Sequence, residues 1–409
     1  MPDVIVIGAG PAGIMAAIQA AKHKKNVILF EKKPTLANKL LISGKTRGNL
    51  SNAKGISEFI KNIHNGEFLR DAFKYFFYPD LIKFFEDKGL ALKVERQDRI
   101  FPADDKASSV LEVLKKYLTD YNVKIICNSL VKDILVERAK VKSVVLDNGK
   151  IYVADAIIVA TGGKSFSHTG SSGEFFDIIK HLGHTIIDLK AGLVPLVTKE
   201  QFVKELQGLT LINIQLTFKQ GKHKIKSTIS ELLFTHFGIS GPLVLDLSGK
   251  ISDWLTNGEV ELTIDLKPAL SEQELEARLL KDFKNTALLY KNYLKELLPR
   301  KLILVFINLS RVDENKKLCQ ITREERLKII GLLKRLPVTV IKTLPLEEAM
   351  VTKGGVATKE IDPKTMQSKI IKGLYFCGEV IDIDGISGGY NIQAAFSTGY
   401  LAGSYVGKL

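Results

Sequence analysis

Three glycines near the start of the chain, Gly8, Gly10 and Gly13, stand in the spacing G-x-G-x-x-G, with Pro11 and Ala12 inside it. That spacing suits one task above others, the cradling of a pyrophosphate. The first glycine permits a tight turn, the second lets backbone approach the phosphates, and the third lets the following helix pack closely on the preceding strand. Glu31 lies 18 residues past Gly13 with Lys32 beside it, at the end of the next apolar run, where a carboxylate accepts from ribose hydroxyls. The motif alone is weak evidence, but its surroundings agree with it. Residues 4–7 (VIVI) suit a parallel strand covered on both faces, residues 12–22 are Ala-rich and helical, and residues 27–31 (VILFE) form a second strand. The helix start adds free N–H groups and partial positive charge for an anion.

Two further glycine sites decide which dinucleotide is expected. Ala160-Thr161-Gly162-Gly163 follows the strand at 156–160, and Gly378-Glu379 lies near the other end of the chain. An NAD site ends with the first βαβ unit, whereas FAD also needs distant residues to hold its ribityl chain and isoalloxazine. FAD is therefore expected. Gly388 and Gly389 would let backbone lie against the flavin ring, and a helix beginning near Asn391 would point its N–H groups at the flavin N1–C2=O edge, favouring the anionic reduced form. Ser43-Gly44-Lys45-Thr46 imitates the end of a P-loop, but Lys39 stands where the first P-loop glycine belongs and no buried strand leads in, which excludes an ATPase. No second G-x-G-x-x-G follows a strand, so a pyridine nucleotide has no dedicated domain.

Around these motifs the chain reads as α/β. Helical segments are expected at about 67–88 and 107–120, and short strands at 123–127, 131–137, 141–147 and 150–153, with an Asn148-Gly149 turn, form a β-meander before the chain re-enters the main sheet. Residues 190–270 are mostly strand-like and 271–345 helical. The Gly-rich α/β character then returns, so a Rossmann-type sheet built from both chain ends (1–190 and 346–409) is interrupted by a β-rich domain (191–270) and a helical one (271–345). The three cysteines, Cys127, Cys319 and Cys377, are too scattered for a redox pair or a zinc site, which excludes the disulfide reductase class and fits a reducing cytoplasm. No metal is expected. No apolar run reaches the roughly 20 residues of a membrane span. The net charge is +14, and residues 271–345 carry sixteen Lys or Arg against nine Asp or Glu.

Longer motifs carry a resemblance: KLLISGKTRGNLSN at 39–52, ATGGKSFSHTGSSGEFFD at 160–177, LLFTHFGISGP at 232–242, VTKGGVATKEIDPKTM at 351–366 and GLYFCGEVIDIDGISGGYNIQAAFSTGYLAG at 373–403. With the N-terminal GAGPAG they make the chain resemble the YhiN/BaiN family of bacterial NAD(P)/FAD-dependent oxidoreductases, over essentially its whole length. The resemblance implies an FAD domain from both chain ends, an inserted β-barrel-like domain and a helical domain. It also implies that Glu379 and Asp384 contact the ribityl or phosphate region, and it suggests amine or amino-ketone oxidation or reduction of an activated double bond. One departure is Gly48, where the family pattern Gly-Gly-Gly-Arg-Cys-Asn has its cysteine; Lys45 is also foreign to that pattern.

Arg47 and Asn49 in that loop are candidates for cofactor contact. His236 and Tyr390 are the candidate catalytic groups, the first as proton relay or substrate hydrogen bonder, with His168 behind them. A satisfied structural role competes for each. The expected activity is hydride transfer between FAD and a small organic substrate. Its rivals are an RNA-associated flavoprotein that uses the basic segment 271–345, and a flavin-binding protein without turnover.

Overall fold

The computed structural model describes residues 3–284 and 286–408; among them, 3–192 with 346–408 form one compact unit and 193–345 the other. In the first unit, five parallel strands lie in the order Leu374–Phe376, Ala156–Val159, Val4–Ile7, Val27–Phe30, Lys124–Ile126. The chain leaves Val4–Ile7 toward one side and returns on the other, so the order reverses beside this strand, the position at which α/β sheets bind ligands beyond their carboxyl ends. Val4–Ile7, Val27–Phe30 and Ala156–Val159 are buried at every residue, as continuous apolar runs require when helices cover both faces.

Helix Pro11–Lys22 and the final helix Tyr390–Lys408 pack together through small residues. A Cβ at Gly399 would stand 2.2 Å from the Ala12 carbonyl oxygen, and one at Gly403 would stand 2.2 Å from that of Ala16. Backbone meets backbone along this seam, and the start of the first helix lies beside the middle of the last, whose own start projects about 12 Å further. The meander differs from the sequence expectation at its first member. Lys124–Ile126 pairs in parallel with Val27–Phe30 at the edge of the main sheet, and only Val131–Glu137, Lys140–Leu146 and Ile151–Val153 form the antiparallel sheet. A three-residue apolar run fits either partner, and periodicity cannot choose.

The second unit is a closed six-stranded barrel, in the order Leu196–Thr198, Gly238–Ser240, His223–Phe234, Thr210–Gln220, Val260–Asp265, Leu336–Thr343. Two segments depart from expectation. Pro242–Leu255, within the strand-like stretch, is a helix, and Leu336–Thr343, within the helical stretch, is the strand that pairs with Val260–Asp265 to close the barrel. The intervening helices Glu272–Phe283, Tyr290–Leu297, Arg300–Ser310 and Arg323–Lys334 therefore form an excursion between adjacent strands, sharing one hydrophobic core with the barrel. Two of these helices open on capping boxes, Ser271 with Glu274 and Thr322 with Glu325, legible as S/T-x-x-E. No helix among the described residues is long and apolar enough to cross a membrane.

Candidate functional site

The site is built where the parallel strands of the first unit end. Gly8 (φ +99°) follows the first strand; its N–H donates to the Phe30 carbonyl (2.8 Å), and a Cβ there would lie 2.5 Å from the Ala160 carbonyl oxygen. Gly13 is tighter still, since its Cβ would sit 1.9 Å from the Gly8 carbonyl oxygen. Gly10 differs from both. Its backbone is ordinary (φ −78°) and a Cβ would meet nothing within 4 Å. Two glycines are thus required by the turn itself, while the third keeps a face open at the start of helix Pro11–Lys22, whose Pro11 occupies the first turn where no N–H is needed.

Glu31 leans back over this turn. One carboxylate oxygen accepts from the Ala9 N–H (2.8 Å) and the other from the Lys33 N–H (2.9 Å), which fixes its orientation and leaves lone pairs over. Lys32 reaches across to the next glycine segment, donating to Ser172 (2.6 Å) and pairing with Glu174. In that segment Gly162 (φ +74°) lies against Ser171, and a Cβ on Gly163 would stand 2.2 Å from Thr352 Oγ1. The hydroxyl of Thr161 is buried with no hydrogen-bond partner among the described residues.

Glu379 is drawn into a network that no local motif announces. It pairs with Lys39 (2.6 Å), accepts from Ser165 Oγ (3.0 Å) and from the Thr352 N–H (2.7 Å), and Lys39 also donates to Ser165 (2.7 Å). Gly378 (φ +77°) donates its N–H to Thr398 Oγ1 (2.9 Å) and faces Ala12, whose Cβ a side chain at 378 would meet at 2.7 Å. The chain's end is thereby locked onto the start of its first helix.

The double glycine is clamped by residues 49–52. The Asn49 amide is satisfied with its oxygen accepting from the Gly389 N–H (3.1 Å) and its nitrogen donating to the Ser51 carbonyl (3.1 Å). Asn52 donates to the Gly388 carbonyl (3.3 Å), and a Cβ on Gly389 (φ +99°) would lie 2.3 Å from the Ser51 carbonyl oxygen. Asn391 clasps Gly385, accepting from its N–H (2.7 Å) and donating to its carbonyl (2.8 Å). These bonds fix the start of helix Tyr390–Lys408, whose first turn carries the positive end of the helix dipole. Tyr390 itself is buried with its ring 4.5 Å from that of Phe59, and its hydroxyl accepts from Asn62 (3.3 Å).

Arg47 engages Glu95 and Asp105, with its guanidinium 4.2 Å above the Phe101 ring, and Lys93 joins the same carboxylates. These half-buried partners hold the Arg47 and Lys93 pKa values up and those of Glu95 and Asp105 down, chiefly through the hydrogen bonds they share. Gly48 has φ +75° and its Cβ would press on Ala107 at 3.1 Å, so a cysteine here would require a shifted loop. His168 is exposed beside Phe166. His236 is exposed on the turn between strands His223–Phe234 and Gly238–Ser240 of the second unit, its ring 4.9 Å from Phe237.

Sequence reasoning missed a titratable group beside Asp384. One buried oxygen of Asp384 has no hydrogen-bond partner among the described residues, and burial pushes its carboxyl up to about 6, against the opposing pull of His64 and Lys353. Asp382 accepts from Asn65 (3.0 Å) and lies 3.8 Å from His64 Nε2, which raises the histidine's pKa. His64 is over 300 residues away in sequence, and its backbone N–H donates to the Asp384 carbonyl (2.7 Å). The only local signal was the acidic pair D-x-D itself.

The parallel sheet whose order reverses beside its first strand, with a glycine turn there and a last helix that starts at a double glycine, defines an FAD-dependent oxidoreductase. The model for the HI0933-like protein Rossmann domain matches residues 2–405, and the chain belongs to that family. It is 32% identical to a 3-dehydro-bile acid delta(4,6)-reductase of Clostridium scindens, covering 98% of both chains. It is 33% identical to a ribosomal RNA dihydrouridine synthase of Haemophilus influenzae, covering 97% of this chain and 96% of that one. Among solved structures, a 3-ketosteroid-delta4-(5alpha)-dehydrogenase from Rhodococcus jostii RHA1 shares the fold at 14% identity, with TM-score 0.53 and coverage of 100% and 97%. The expected resemblance, cofactor and α/β architecture with a barrel are thereby upheld.

Proposed function

We propose that this flavoenzyme reduces a carbon–carbon double bond conjugated to a carbonyl, in a small organic acceptor or in a uracil ring. The observation that carries this reading is that relatives of nearly full coverage, named for two dissimilar acceptors, share one bond change: both a delta(4,6)-reductase and a dihydrouridine synthase saturate a double bond. When bound, FAD supplies a two-electron hydride carrier. The chain's own residues supply its binding and its electrostatics.

In this reading the open face at Gly10 takes the pyrophosphate, with the N–H groups of the first helix turn as donors. Pro11, Ala12 and Gly13 keep that turn compact, and Glu31 takes the ribose hydroxyls. Lys32 holds the segment containing Thr161, Gly162 and Gly163 over the nucleotide, and the unpartnered Thr161 hydroxyl supports a cofactor contact there. Glu379 and Asp384, close enough for one carboxylate to act on the other, serve the ribityl side. Gly388, Gly389 and Asn391, held by Asn49, present the helix start to the ring. Tyr390 packs that start from behind, and Arg47 braces the loop of residues 43–52 through Glu95 and Asp105. His236 is retained as a candidate proton donor, and Tyr390 acts through packing.

Glu31→Ala is expected to weaken FAD at least tenfold, since hydrogen bonds to charged groups are each worth about 1.5–3 kcal/mol. Fluorescence titration of apoprotein checks this, and unchanged affinity would remove Glu31 from the ribose. The reaction class is tested by reducing the purified protein anaerobically with light and adding cyclohexenone, a 3-keto-4-ene steroid, uridine or an imine. Return of the oxidised flavin spectrum with a conjugated acceptor is expected. Bleaching of oxidised protein by amines, with no response to any conjugated alkene, would overturn the reading in favour of amine oxidation. Indifference to every donor and acceptor would mark a binding protein.

A further inference from the structure

Half of the chain's positive excess lies in residues 271–345, where seven of the sixteen Lys or Arg pair with carboxylates of the same unit. Lys316 pairs with Glu325 (2.7 Å), Lys334 with Asp265 (2.7 Å), Arg326 with Glu276 (3.4 Å), Lys328 with Glu324 (2.8 Å), and Arg335 with Glu272. A different part of the same unit has the opposite character. Strands Thr210–Gln220 and His223–Phe234 form a hairpin whose two-residue turn is Gly221-Lys222, and it exposes Lys219, Lys222, Lys224 and Lys226.

The register makes this more than a count of lysines. Lys219 stands directly opposite Lys224, and Lys226 opposite Thr217. Like charges directly opposed across a ladder are destabilising. None of the four lysines forms an ion pair among the described residues, and the neighbouring Glu259 is taken by Lys199 (3.1 Å). Glu261 is the nearest carboxylate in register, across the ladder from Lys219, and no ion pair joins them. Lys224 and Lys226 share a strand face about 6.8 Å apart, the two-residue rise of a strand.

We propose that this hairpin docks an RNA backbone, its four lysines contacting phosphates without reading sequence. A run of phosphates supplies the repeated negative charge that the opposed lysines lack, and such contacts position a nucleic acid without specifying its bases. The tip, Gln220-Gly221-Lys222-His223, carries no large apolar residue to insert into a lipid surface, which separates it from a membrane-docking ribbon. The docking is independent of the reaction proposed above, because binding is measured without turnover.

The test is fluorescence anisotropy of a labelled stem-loop RNA with FAD-loaded protein across a salt series. Wild type is expected to bind at low salt with a log–log slope that includes a contribution of about 3 from the hairpin's four phosphate contacts. The K219Q/K222Q/K224Q/K226Q variant is expected to bind more than tenfold more weakly with a slope shallower by about 3, at unchanged flavin absorbance and melting temperature. A control with the same charge loss on exposed lysines of the other unit, K116Q/K132Q/K150Q/K180Q, is expected to stay within about threefold of wild type. Absence of RNA binding at low salt, equal loss in both variants, or binding only to phosphatidylserine vesicles would each overturn the proposal. If RNA binds as described while no conjugated acceptor reoxidises the flavin, the docking surface stands and the reaction class falls.

Discussion

Gly10→Ala is expected to yield a folded protein that has lost its cofactor, whereas Gly13→Ala three residues on should not fold properly. The contrast follows from two neighbouring measurements. A Cβ at Gly10 meets nothing within 4 Å and the backbone φ of −78° accepts any L-residue, so the apoprotein loses little beyond a modest change in capping. The added methyl instead enters the space proposed for the pyrophosphate. FAD affinity should fall by about 100-fold, close to 2.7 kcal/mol. At Gly13 the Cβ would stand 1.9 Å from the Gly8 carbonyl oxygen, which is backbone and cannot swing aside. The helix would have to leave the sheet, at a cost of about 3 kcal/mol or more. Flavin absorbance against circular dichroism and melting temperature separates the two. A yellow Gly10→Ala protein of normal affinity would move the phosphates away from this turn, and a Gly13→Ala protein of wild-type stability would contradict the packing described.

The second large effect is a pH dependence carried by Asp384. Burial raises its carboxyl from 3.8 to about 6, so the folded protein holds a proton that the unfolded chain releases. Its contribution to stability is fully present below about pH 4 and is lost as pH rises through about 6. The whole excursion is bounded at about 3 kcal/mol for a shift of roughly two units. His64 acts in the same direction one step higher, because Asp382 raises its pKa and that support fades as the imidazole deprotonates. Asp384→Asn removes the first contribution and leaves the main part of the second, the hydrogen bond of His64 to Asp382. Urea unfolding between pH 4 and 8 should therefore find the variant gaining on wild type across pH 4–6 and running parallel to it above pH 7. Parallel curves throughout would mean that the Asp384 carboxyl is ionised in the folded protein like any surface aspartate.

Local elements were legible in the sequence for local reasons. The runs VIVI and AIIV suited strands covered on both faces, and the Ala-rich segment after Pro11 suited a closely packed helix. Misreadings arose where a short apolar run fits two partners. Lys124–Ile126 joined the main sheet, Pro242–Leu255 became a helix because its apolar residues also fit a 3.6-residue face, and Leu336–Thr343 resumed strand pairing after the helices.

The charge distribution follows the same division. Composition located the positive excess in residues 271–345, but partners for those side chains come from other helices and strands, such as Asp265 for Lys334. Only the folded register exposes the opposed Lys219 and Lys224.

By itself the sequence determined the glycine turn at residues 8–13, the acid that closes the second strand, and with the distant glycine blocks the flavin class. These features depend on backbone conformation and residue size, which are local properties. The tertiary structure alone decided that Lys39, Ser165, Thr352 and Glu379 share one network, that Asn49 holds Gly389, and that His64 adjoins Asp382. Apart from the Thr352–Glu379 bond, which spans 27 residues, each of those contacts joins groups more than 100 residues apart, a separation over which sequence spacing carries no distance information and only tertiary packing brings the groups together.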